Sequence, residues 1–116
     1  MFFNHVLILA FCFFLLQLWI YGGSYFSGSS SIDIYDPKVL ASEENVIVVS
    51  IQYRVSALGF LYLGTEDAPG NQGLLDQRLA IEWTKNNIQY FGGNSDNITL
   101  FSGKIFISVS LSFQLV

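Results

Sequence analysis

The sequence predicts an α/β fold with a mostly parallel sheet, and three observations carry that prediction. Val46, Ile47, Val48 and Val49 are four consecutive β-branched residues. A continuous apolar run of this kind, without alternation, suits a strand covered on both faces. Between residues 70 and 88, leucine, isoleucine and tryptophan recur at helical spacing. A short strand-like stretch, "NITLF" at 97–101, comes after the helix. Strand, strand, helix, strand is the order expected when helices cross over between parallel strands.

Composition narrows the possibilities. A chain of 116 residues is the length of one small domain. Hydrophobic residues make up 52% and charged residues 12%, far too apolar for a disordered tail. Free-standing domains usually carry about 25% charged residues, so this is the composition of a piece of a larger core. The net charge is −4 and the basic residues are scattered, which excludes tracking of a phosphate backbone; no nucleic-acid partner is expected. The single cysteine, Cys12, cannot form an internal disulfide and reads as a small hydrophobe. With no Cys/His cluster, neither a metal nor another cofactor is expected.

The elements can be taken in chain order. Residues 6–21, "VLILAFCFFLLQLWIY", have Gln17 as their one strongly polar side chain. Their start reads as a signal core, an anchor or mistranslated sequence, which makes 1–18 an apolar leader and allows membrane association through 1–21. Their end, "LLQLWIY", reads instead as a buried strand stopping at Gly22-Gly23. "SGSSS" at 27–31 is a short polar loop. The run 45–55 supplies the second strand. In the helix of 70–88, Leu75, Leu79 and Trp83 recur at i+4, and Leu74, Ile81 and Ile88 at i+7. Together they predict one broad apolar stripe facing the core. Asn71 is placed to cap the helix, Pro69-Gly70 punctuate its entry and Gly92-Gly93 block any continuation. The last strand is 97–101. Residues 103–116 form an atypical tail in which apolar side chains alternate with Ser and Gln.

Residues 19–102 resemble the type-B carboxylesterases and, within them, the cholinesterases. The resemblance rests on "WIYGGSYFSGSSSIDIYD", on "VIVVSIQYRVSALGFLYLGTEDAPGNQGLLDQRLAIEWTKNNIQYFGGNSDNITLF", and on the spacing between them. It implies the α/β-hydrolase fold, of which this chain would be an early portion, a fragment from an incomplete gene model or an alternative transcript. The Gly-rich turn would then supply an oxyanion hole through the backbone N–H groups of Gly22, Gly23 and Ser24. The family usually has a third glycine where Ser24 stands, and the added Cβ narrows the pocket. Tyr25 and Phe26 match gorge-lining aromatics. Arg54 and Asp76 match a structural salt bridge that is buried in the family; disrupting such a pair costs roughly 3–5 kcal/mol.

The nucleophile of that family lies in Gly-Glu-Ser-Ala-Gly after a "TLFG" strand. Here "ITLF" is succeeded by "SGKIF", and no Gly-x-Ser-x-Gly occurs anywhere. Ser102 and Ser108 lack the glycines that permit a strand-to-helix elbow. The one histidine is His5, in the leader. No Ser–His–acid set can be assembled, so no catalytic residue is assigned and the chain is expected to be inactive as given. An ester substrate is expected only in a full-length form. The resemblance further implies a secreted or membrane-associated protein on the extracellular side. Asn97-Ile98-Thr99 is a glycosylation sequon. Two other readings stay open: a non-catalytic adhesion relative of the neuroligin type, and a short membrane-anchored product.

Overall fold

A computed structural model describes residues 15–103 and the backbone of a two-residue strand, β1 (Ile8–Leu9). Most of the leader, with His5 and Cys12, and the tail from 104, with Ser108, lie outside the described residues.

The apolar end of the leader is a strand. β2 (Leu15–Ile20) lies between β3 (Val46–Ser50) and β6 (Ile98–Ser102) in a four-stranded sheet of order β1-β3-β2-β6. It is parallel to both neighbours: Leu15 pairs with Val46 and Trp19 with Ser50, while Leu16 pairs with Ile98 and Ile20 with Ser102. β1 adds an antiparallel edge, Ile8 opposite Val49. The parallel sheet and long helix are those of an α/β-hydrolase fragment.

Each face of the sheet has its own cover. Leu16, Leu18 and Ile20 are buried with Ile47, Val49, Ile51, Tyr53 and Ile88. This face packs against Leu74, Ala80 and Ile81 of α3 (Gln72–Asn87). On the other face, Val46 and Val48 pack with Ala41 of α1 (Lys38–Glu43), beside Leu15, Leu40 and Phe101. β3 is therefore buried at every position, which is why its sequence runs apolar without alternation.

The broad stripe expected on α3 is a narrower one. Gly73, Gln77 and Thr84 are its buried positions, flanked by half-buried Leu74 and Ile81. Leu75, Leu79 and Trp83 are exposed, Leu79 at 66%. Gly73 packs not on the sheet but on the segment after β3: an added Cβ would lie 2.3 Å from the Arg54 carbonyl oxygen and 2.9 Å from the Phe60 ring. A polar pair thus sits where large apolar residues were expected. Thr84 satisfies itself by donating to the Ala80 carbonyl at 2.7 Å. Asn71 does hold the N-cap position, but in left-handed backbone (φ 62°) and with no side-chain cap bond. Gly92, at φ 82°, closes the 3₁₀ turn Ile88–Phe91 at the end of α3.

Between β3 and α3 lie α2 (Ser56–Phe60) and a small hairpin of β4 (Tyr62–Thr65) and β5 (Ala68–Pro69). Neither these nor α1 shows a periodicity readable in sequence, since each spans at most about two turns or four residues. Among the described residues no helix is long and apolar enough to cross a membrane.

Candidate functional site

Strands β2 and β3 are parallel, so the segments that leave them emerge side by side at the C-terminal edge of the sheet. In open α/β sheets this is the edge where ligands bind. The segment after β2 is the Gly-rich turn, and the segment after β3 is the loop 51–55 leading into α2.

The turn departs sharply from extended backbone. Gly23 has φ 147°, and Ser24 and Tyr25 have 54° and 62°. A Cβ on Gly23 would fall 1.8 Å from the carbonyl oxygen of Ser27, so only glycine fits there. Ser24 occupies the left-handed region, at a cost of about 1 kcal/mol against glycine. The Gly23 carbonyl accepts N–H bonds from Phe26 (3.0 Å) and Ser27 (3.2 Å). By contrast, the N–H groups of Gly22, Gly23 and Ser24 reach no acceptor among the described residues. Three successive amide donors are thus left open, on residues that are half-buried (Gly22) or exposed (Gly23, Ser24).

The residues around the turn are unequally placed. Tyr25 is half-buried, its ring 5.1 Å from that of Phe60, and burial raises its phenol pKa. Phe26 is 74% exposed. Both line an open depression of about 420 Å³ beside Ser24, faced by Ser56, Phe60 and Leu61.

Under the turn, Tyr21 and Tyr53 stack with centroids 4.5 Å apart at 19°. Each phenol donates to the other's backbone carbonyl: Tyr21 Oη to the Tyr53 oxygen at 2.9 Å, Tyr53 Oη to the Tyr21 oxygen at 2.8 Å. Both are buried. Burial, with the nearby Tyr21 and Tyr25 phenols adding to it, pushes the Tyr53 phenol up to about 12, while a hydrogen bond with Gln77 works the other way. Burial also raises Tyr21, more than the bond to the Tyr53 backbone lowers it. Both hydroxyls are therefore neutral donors at physiological pH. Sequence reading missed this pair; the signal available was two tyrosines closing two apolar strands.

Arg54 and Asp76 do meet. Arg54 Nε lies 2.7 Å from Asp76 Oδ2, Nη2 lies 2.8 Å from Oδ1, and the Arg54 backbone N–H donates to Oδ2 at 3.0 Å. The pair is not in the core, however: its side chains are 54% and 26% exposed. Both side chains are partly open to solvent, so water screens the pair. Burial works against the Asp76 charge, but the Arg54 side-chain and backbone hydrogen bonds outweigh it and hold the carboxyl below its ordinary value.

The remaining candidates lie apart. Asn97 and Thr99 are both exposed, at the start of β6, and Asn97 closes a turn by donating its N–H to the Asn94 carbonyl. The hydroxyl of Ser102, at the end of β6, donates to the Gly103 carbonyl at 3.3 Å. Among the described residues no group of three acidic, histidine or cysteine side chains could hold a metal ion.

A parallel sheet whose central strand ends in a Gly-rich turn of open amides defines the class: the early part of an α/β-hydrolase domain. Comparison with known proteins gives the family. The model of the carboxylesterase family matches residues 16–105, and the chain belongs to that family. It is 54% identical over 99 residues to "Cholinesterase 1" of Branchiostoma lanceolatum, covering 85% of this chain and 28% of the relative. It is 59% identical over 87 residues to "Acetylcholinesterase" of Electrophorus electricus, covering 74% of this chain and 14% of the relative. It is 46% identical over 102 residues to "Acetylcholinesterase 1" of Caenorhabditis briggsae, covering 85% and 16%. The chain thus spans less than a third of the length of these relatives.

Proposed function

We propose that this chain is the oxyanion-binding portion of a carboxylic ester hydrolase of the cholinesterase type, and that it hydrolyses nothing by itself. The observation that carries this reading is the set of open N–H groups on Gly22, Gly23 and Ser24 at the end of the central strand. Ester cleavage builds negative charge on the carbonyl oxygen as a nucleophile adds. Donors already aimed at that position, with no acceptor among the described residues to give up, stabilise the charge without reorganisation. The neighbouring depression would receive the ester, with Tyr25 and Phe26 as its aromatic wall. The nucleophile, base and acid would come from elsewhere in a longer protein, since the chain contains no Gly-x-Ser-x-Gly and His5 is its one histidine.

The three relatives bear the names of esterases, which supports the enzymatic reading over adhesion. The same reading makes the protein secreted or membrane-associated, with Asn97 available to N-glycosylation through its exposed sequon.

A chimera tests the proposal. Residues 15–103 replace the matching stretch of the Electrophorus enzyme, which supplies the missing catalytic groups. The chimera is expected to hydrolyse phenyl and choline esters and to bind a trifluoromethyl ketone, whose hydrate mimics the tetrahedral oxyanion, far more tightly than substrate. The unsupplemented chain is expected to show no acyl burst and no labelling by an organophosphate. A folded chimera inert to ester and ketone alike would overturn the oxyanion reading. Near-stoichiometric labelling of Ser24, Ser102 or Ser108 in the unsupplemented chain would overturn its inactivity.

A further inference from the structure

The two exposed amides of the turn, those of Gly23 and Ser24, need something to aim them. A trans peptide is planar, so fixing its C=O points the next residue's N–H the opposite way. The Ser24 N–H shares its plane with the Gly23 carbonyl, which accepts from Phe26 at 3.0 Å and from Ser27 at 3.2 Å. The Gly23 N–H shares its plane with the Gly22 carbonyl, and that plane lies between two glycines, where no Cβ restricts rotation. No donor among the described residues reaches the Gly22 carbonyl, so packing has to hold it.

Gly28 supplies that packing. The turn curls back until Gly28, at φ 127°, lies against the turn's own start. A Cβ at position 28 would fall 2.8 Å from the Gly22 carbonyl oxygen and 2.6 Å from the Tyr21 ring. The carbonyl therefore rests against the Gly28 backbone and cannot swing further that way. Gly23 is pressed in turn on the Ser27 carbonyl, where its own Cβ would lie at 1.8 Å. Residues 27 and 28 thus pack the plane at both ends. The Tyr21 ring is buried and stacked on Tyr53 at 4.5 Å, so it has no room to retreat from Gly28. The whole turn is tied outward where the Tyr25 carbonyl accepts the Ser56 N–H at 2.6 Å, from the loop that Arg54 and Asp76 brace against α3.

We propose that residues 26–28 are the positioning element of the amide turn, with Gly28 as the positioning residue that sets the direction of the Gly23 N–H. The proposal rests on the oxyanion reading of the turn and concerns its second and third amides. Gly28 has no side chain to offer a substrate; it acts through the peptide plane it packs against.

Three alanine variants of the chimera separate positioning from stability. Gly28→Ala puts a methyl between an immobile ring and a carbonyl flanked by glycines, so the carbonyl gives way and the Gly23 N–H turns with it. Gly93→Ala makes a clash of similar size away from the turn, its Cβ 2.5 Å from Ile88 and 3.1 Å from Ile47 near the start of β3. Gly92→Ala places an L-residue at φ 82° with nothing among the described residues within 4 Å, which isolates backbone strain. All three should melt below the unsubstituted chimera. Gly28→Ala alone is expected to lower kcat, about tenfold with KM little changed, because the misaimed donor matters in the transition state. Its affinity for the trifluoromethyl ketone should fall by a similar factor. Gly92→Ala and Gly93→Ala should keep both quantities within about twofold. If Gly28→Ala does not fold, a crystal structure of the unsubstituted chimera with the ketone bound decides. The ketone oxygen should accept from the Gly23 and Ser24 N–H groups, with the Gly22 carbonyl still packed on Gly28.

Unchanged kcat and ketone affinity in folded Gly28→Ala, equal losses in the two control variants, or a Gly22 carbonyl turned away from Gly28 in the adduct would overturn the positioning role while leaving the oxyanion reading intact. An inactive but folded unsubstituted chimera would remove the oxyanion reading, and the positioning role with it.

Discussion

The two segments that leave β2 and β3 start within hydrogen-bond reach of each other and are built to opposite ends. The turn of 22–28 keeps the carbonyls of Gly23 and Tyr25 engaged, while its first three amides reach no acceptor among the described residues. The loop of 51–56 has its tyrosine, its arginine and three of its amides, those of Ile51, Arg54 and Ser56, engaged with neighbours. One segment carries left-handed backbone over Gly23, Ser24 and Tyr25; the other reaches positive φ only at Ser56, where α2 begins. The difference teaches that a chemically open site depends on a saturated neighbour. A backbone holding unpaired donors gains no stability from them, so its conformation must be fixed through its carbonyls and side chains.

Substitutions can break either half of that comparison. The largest effect is expected from Gly23→Ala in the chimera. The new Cβ meets the Ser27 carbonyl at 1.8 Å, so the turn must open. Esterase activity should fall at least about a hundredfold, the loss typical of a missing oxyanion donor, and the urea midpoint should drop as well. Gly73→Ala strikes the braced loop through α3, its Cβ meeting the Arg54 carbonyl at 2.3 Å and the Phe60 ring at 2.9 Å. Overpacking of this kind costs about 1–3 kcal/mol, and denaturant titration should show it. Activity should fall less than for Gly23→Ala, because the turn is disturbed only through its support.

Removing the ion pair sharpens the comparison further. Because Arg54 is 54% exposed, Asp76→Asn should cost about 1–2 kcal/mol rather than the larger penalty of a buried pair. The double variant with Arg54→Gln should cost less than the sum of the single ones. The pH dependence has a definite sign. Asp76 has a folded pKa below its ordinary 3.8. The pair's contribution is complete above that ordinary value and is lost as the pH falls through the lowered one. Asp76→Asn should therefore flatten the acid limb of the stability curve and leave neutral to alkaline pH otherwise unchanged. The smallest effect is expected at Ser24→Gly. It relieves left-handed backbone at φ 54° but loosens the unfolded chain, for a net gain of roughly 0.5 kcal/mol. If the Ser24 Cβ crowds the ester, kcat should also rise a few-fold; an unchanged rate would show that the pocket tolerates it.

Much of this was legible in residues 45–101. The unbroken run Val46–Ser50 could bury itself only as a strand covered on both sides, and it did. The 3.6-residue period of 72–87 placed α3 to within two residues of the expected span. Gly22-Gly23 ended β2 close to where the sequence changes character. Composition and pattern act locally, through side-chain hydrophobicity and backbone freedom, so these features belong to the sequence by itself.

Other features were settled by packing between segments distant in sequence. Which row of α3 is buried was set by long-range packing: Gly73 fits against the Arg54 carbonyl, 19 positions away, and Gln77 and Thr84 are buried while Leu79 and Trp83 are exposed. Whether Arg54 and Asp76 met in the core or at the rim depended on where the loop crosses α3. The Tyr21–Tyr53 exchange required β2 and β3 to lie side by side and in register. Local pattern determined which segments become strands and helix; only the tertiary structure decided which amides remain open, because a hydrogen bond is claimed or left free by whatever the fold brings within about 3 Å of it.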